Sequence, residues 1–228
     1  MILASLLLAA PFAFGQGSSP VAGGVVSSKE WRVKRGVDKE EEFIGDVRYR
    51  TGPSVIRSDW ALYKHGPQTW QLRGNVRVDR TLDSGDRVES SGDHAFFEMK
   101  KKAGWVTADD LVALKRTPAD GTAPDFARAQ RLEWKGKERG SLIGAVHLWG
   151  PRVESWSDRA DWDEATGEIL MTGGRPVARK FTGWNEDDDW AGALKGDTVR
   201  AWQSKRKLSA DGKVVGWLEF KDVKGLKK

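Results

Sequence analysis

The chain has 228 residues, 39% hydrophobic and 31% charged, with a formal net charge of +5. That balance excludes a membrane bundle of apolar helices, allows one large β domain or two small ones, and favours anionic partners over cationic ones. The absence of cysteine excludes disulfides, thiolate metal sites, cysteine nucleophiles and a lipid anchor on cysteine.

Residues 2–14, ILASLLLAAPFAF, are an uninterrupted apolar run. The run is shorter than the roughly 20 residues a membrane span needs. Ala13, Phe14 and Gly15 fit the small-x-small rule for cleavage, so residues 1–15 are predicted to be a signal peptide and the mature chain to be exported. Residues 16–30, rich in Gly and Ser, are expected to be a flexible lead-in.

From Trp31 onward the pattern is short alternating runs broken by Gly, Pro, Asp and Asn, as in an all-β protein. The stretch TWQLRGNVRV (69–78) puts Trp70, Leu72, Val76 and Val78 on one face and Gln71, Arg73, Asn75 and Arg77 on the other. Residues 108–129 are less regular and are expected to be an insertion, as a long loop or with a short helix at 108–115. In GGRPV (173–177), Arg175 and Pro176 stand where apolar strand residues belong, so Pro176 predicts an edge or a bulge.

Repeats run through the chain. Ile44, Gly45 and Val47 correspond to Ile143, Gly144 and Val146, SDWALY (58–63) to SDRADW (157–162), and Gly74 to Gly173, all at one offset. These matches predict duplicated halves at about 31–108 and 128–220. Within each half a shorter unit recurs: an acidic or small residue, an apolar one two positions on, an aromatic, a turn, then Gly-x-Val. Each unit reads as two strands and a turn. Gly45, Gly74, Gly144 and Gly216 hold the phase of the apolar face, which predicts either a close approach at that point or a repeated bulge.

No HExxH, GxSxG or Walker motif is present, and the three histidines have no ligand-spaced neighbours. The acidic run NEDDDW (185–190) lacks the spacing of a calcium loop. The expectation is a non-enzymatic protein with no cofactor, no metal and no nucleic-acid partner. The twelve tryptophans suit either an aromatic-rich core or a surface that contacts sugar or lipid.

The runs EEFIGDVRYRTG, SDWALYKHGPQTWQLRGNVRVDRTLDSGDRVESSGDHAFFE and LIGAVHLWGPRVESWSDRADWDEATGEI resemble the OstA-like domain of the periplasmic lipopolysaccharide transport proteins, the LptA/LptC type. The likeness covers roughly residues 40–220 and is strongest at Ala61, Tyr63, Gly74, Asn75, Val76, Gly85, Val88 and Ser90. It implies an open β-jellyroll over residues 31–225 that carries lipopolysaccharide with its acyl chains inside. It also implies end-to-end strand addition, to other Lpt-type jellyrolls or to itself, in a bridge to the outer membrane. The inward residues expected to meet lipid are Val47, Tyr49, Trp70, Leu72, Val76, Val78, Leu142, Val146, Leu148, Leu218 and Phe220. Alternative readings are an LptC-like protein that keeps residues 2–14 as an anchor, a Trp-rich carbohydrate-binding β-sandwich, and a purely structural envelope protein.

Overall fold

The computed structural model describes residues 19–21, 23–136, 139–163, 165–180, 190–202 and 207–220. The expected signal peptide and most of the NEDDDW run lie outside them. Strands β1 (Ser19–Val21), β2 (Gly24–Ser27) and β3 (Glu30–Lys34) precede eight long strands. These are β4 (Glu40–Thr51), β5 (Ser54–Lys64), β6 (Thr69–Thr81), β7 (Arg87–Glu98), β8 (Ala103–Thr117), β9 (Asp125–Lys135), β10 (Arg139–Trp149) and β11 (Val153–Asp163). Six shorter strands follow: β12 (Glu168–Thr172), β13 (Val177–Lys180), β14 (Trp190–Lys195), β15 (Thr198–Trp202), β16 (Lys207–Asp211) and β17 (Val215–Phe220).

All strands belong to one antiparallel sheet. From β4 to β11 each strand pairs with its neighbours in sequence. At both ends a row is split between two short strands. β2 and β3 divide β4, and β12 and β13 divide β11. β15 then pairs β12 and β14 pairs β13, with β16 and β17 outermost. No pairing joins the first strands to the last among the described residues. The fold is therefore an all-β, open jellyroll, a single antiparallel sheet folded over so that one face of every strand is inward.

The fold-over follows a line of register breaks. β6 keeps its inward phase across Gly74 and Asn75, both left-handed at φ 72° and 47°. Its neighbour β5 slips phase there, from Ile56 and Ser58 inward to Ala61 and Tyr63 inward. Bulges of this kind bend a strand and sharpen its twist. Gly45 with Asp46 and Gly144 with Ala145 repeat the left-handed pair on β4 and β10. A β-carbon on Gly74 would lie 2.5 Å from Asp59 Oδ2, the oxygen to which Asn75 Nδ2 donates at 2.7 Å. Asp158 stands in the same way against Gly173 and Asp197 against Gly212. The recurrent glycines are thus left-handed positions closed by a side chain from the neighbouring row, with Lys29 against Gly45 and Gln130 against Gly144. Gly216 is not one of them: it has no positive φ, and the left-handed residues before its strand are Gly212 and Lys213, in the break between β16 and β17.

Two further expectations are corrected. Ser19–Val21 and Gly24–Ser27 of the lead-in form β1 and β2, with Val21 and Val26 buried. Residues 108–129 hold no helix and no insertion: they are the end of β8, a turn and the start of β9. Val112 and Leu114 alternate inward, but the extra residues between Thr107 and Val112 hide that alternation from the sequence. The break at GGRPV occurs as expected, between β12 and β13, with left-handed Gly173, Gly174 and Arg175.

Candidate functional site

The inward face is a set of cross-strand rows, and each row can be followed from edge to edge. One runs Phe43, Ala61, Leu72, Ala95, Val106 and Leu132, then Leu142, Ala160, Met171 and Val199, all buried. Another alternates aromatic with glycine: Trp70, Phe97, Gly104, Trp134, Gly140 and Trp162. A β-carbon on Gly140 would fall inside the Trp162 ring, so the missing side chain on one strand is the seat for the indole of the next. Part of the tryptophan content is thereby spent on core, as the ordinary reading of a Trp-rich sheet expects.

Eight of the expected lipid-facing residues sit in this packed middle. Val47, Tyr49, Trp70, Leu72, Val76, Val78, Leu142 and Val146 are each at most 3% exposed and belong to one cluster. The Trp70 ring is enclosed by Tyr49 and Tyr63, at centroid distances of 4.9 and 4.8 Å, and by Phe43 at 5.9 Å. Burial pushes the Tyr49 phenol up to about 12, so it is neutral throughout the physiological range.

The core thins toward its ends. Leu148 is half-buried against the cluster. In the row beginning Trp162, the next residues Ile169, Ala201 and Leu208 are only partly covered. At the last strand Leu218 shares the inward phase of Lys180 and Gly192, yet it is 65% exposed. Phe220 pairs with Trp190 in the same ladder, and its side chain lies outside the described residues. The other end mirrors this. Trp31 and Val33 on β3 pair with the inward Phe43 and Glu41, and they are 54% and 38% exposed. The inward apolar face therefore emerges into solvent at both edges of the sheet. Neither Trp31 nor Val33 was among the residues expected from the sequence. Their alternation on EWRVK was the available signal, but alternation assigns a face and is silent on how well that face is covered.

Polar groups line the rim of this face. Glu41, almost fully buried, accepts from Trp31 Nε1 at 3.1 Å and His65 Nε2 lies 2.6 Å away, with Lys39 at 3.0 Å. Burial alone would raise its pKa. Hydrogen bonds and charge from Lys39 and His65 outweigh that and hold the carboxyl below its ordinary range. At the opposite rim Asp86 takes the guanidinium of Arg116 and the backbone N–H of Ala119 at 2.9 Å. His147 contacts Glu154 at 2.9 Å on the outer face, and His94 is exposed. No protein-family model and no curated protein matches the sequence.

Proposed function

We propose that this protein is a non-enzymatic, LptA-like periplasmic carrier. In this reading it holds lipopolysaccharide acyl chains against the inward face of an open β-jellyroll and passes them along a bridge of similar sheets toward the outer membrane. The observation that carries the reading is the inward apolar face left uncovered at both edges, at Trp31 and Val33 on one side and Leu218 on the other. Burying acyl chain there gains about 0.8 kcal/mol per methylene, and it displaces only water. Entry in the packed middle, at Val76 or Val146, would instead have to displace side chains that are already buried. The edge strands β3 and β17 each keep one unpaired side among the described residues, which suits strand addition to a second sheet.

The test is photo-cross-linking in cells with a reactive residue at Leu218 or at its outward-phase neighbour Trp217. Lipopolysaccharide adducts are expected at Leu218 and absent at Trp217. Folded, exported protein that gives adducts at neither position would overturn the carrier reading.

A further inference from the structure

The outer face of the sheet, turned away from the packed core, carries a groove of about 470 Å³. Its floor is Ser91 and Ala113, directly paired on β7 and β8. Arg57 and Arg77 wall one side, and Arg128 with Trp149 the other. The three strand steps from Arg77 to Arg128 span about 14 Å at ordinary strand spacing.

The cationic wall is a single cross-strand row. Arg48 faces Arg57, and Arg57 faces Arg77, on three neighbouring strands. Like charges directly opposite one another destabilise a sheet, so the fold itself gains nothing from this arrangement. Arg48 shows the strain of it: Nε is buried with no hydrogen-bond partner, and desolvation together with Arg50 and Arg57 lowers its pKa. The carboxylates that line the groove are already engaged. Asp79 and Glu89 pair with Arg87, and Glu89 also with Lys115. None of Arg48, Arg57, Arg77 and Arg128 forms an ion pair among the described residues. The outer face of the other strand halves is different. There Arg131 pairs with Glu133, Arg159 with Asp161 and Arg200 with Glu168.

The far wall is aromatic. Phe126 and Trp149 stack at 5.3 Å and 13°, and His147 lies against Trp149 at 4.5 Å and against Trp156 at 5.2 Å. The Arg128 guanidinium sits over Trp149 at 5.6 Å. We infer that this groove is a binding site for a phosphorylated saccharide, with a sugar ring against the aromatic wall and its phosphate held by Arg57 and Arg77. Guanidinium forks match the geometry of a phosphate, and an indole face takes the apolar face of a sugar ring. The groove is short and closed by small residues, which suits a few sugar rings rather than the extended track a nucleic-acid backbone needs. The inference does not rest on acyl-chain carriage.

The test is calorimetric titration of the whole exported protein with fully deacylated, phosphorylated lipopolysaccharide core oligosaccharide. Parallel titrations use the same oligosaccharide after phosphatase treatment and a single-stranded DNA 10-mer at the same ionic strength. Saturable binding to the phosphorylated oligosaccharide is expected, at least tenfold tighter than to either comparator. R57Q and W149A should each weaken it at least tenfold, and R159Q, across the line of register breaks from the groove, should leave it unchanged. R57Q should also raise Tm in the absence of ligand, which shows that the variant folds and that Arg57 is not there for stability. Equal affinity for the dephosphorylated sugar, DNA binding as tight as sugar binding, or no binding by the folded protein would each overturn the proposal. Because the probe has no acyl chains, these outcomes are independent of the Leu218 adducts.

Discussion

Gly74 illustrates how one residue sets the geometry of a strand. A left-handed backbone costs a residue with a β-carbon about 1–2 kcal/mol, and at this site the added carbon also meets the Asp59 carboxylate. Gly74→Ala is therefore expected to lower stability by about 2 kcal/mol, read from the urea midpoint. Gly66→Ala, in a turn with open space around it and no positive φ, is expected to leave the midpoint nearly unchanged. Glu41 makes a pH-dependent contribution. Its folded pKa lies below the ordinary 4.5, so its stabilisation is present above that value and is lost as pH falls through the folded one. Glu41→Gln should lower Tm at neutral pH and flatten the fall of Tm on acidification below about pH 5, measured by thermal melts across pH. The glycine recurrence was plain in the sequence. Its cause was not, because the side chain that closes each position, Asp59 at Gly74, Gln130 at Gly144 and Lys29 at Gly45, comes from a neighbouring row, and only strand pairing brings the two together.

At the scale of the strand, legibility depended on unbroken alternation. β6 runs inward at Trp70, Leu72, Val76 and Val78 with its phase intact, and its face could be assigned directly. β8 could not. Val106 and Val112 are both buried, but the residues between them bulge, with the Asp109 N–H donating to Asp93 Oδ2 at 2.8 Å. The same segment is tied down at its far end by Asp86, which takes Arg116 from β8 and the Ala119 N–H from the following turn. Asp86→Asn leaves the Arg116 charge largely buried without its partner and should destabilise by about 3 kcal/mol in urea unfolding. Adding Arg116→Met to that variant should recover part of the loss, since an apolar side chain needs no counter-charge.

Across the molecule, periodicity told which face of each strand is inward but not how deeply it is covered. Leu142 and Leu218 have the same inward phase and were read alike, yet one is 1% exposed and the other 65%. The difference comes from what lies beyond: Leu142 has strands on both sides, and Leu218 is on the outermost one. An edge with apolar side chains and unpaired backbone favours self-association. Sedimentation should show a species that grows with protein concentration, and Trp31→Lys combined with Leu218→Lys should shift it toward monomer.

The meander has one more consequence. From β5 to β10 each strand takes its backbone pairing only from the strands immediately before and after it in the chain. Such a molecule behaves as a ribbon of interchangeable tiles, in which a whole hairpin can be duplicated or deleted without disturbing the pairing of the rest. Its span is thus adjustable in steps of two strands, and its folding can start at any hairpin and spread outward, because no contact waits on the two ends of the chain meeting.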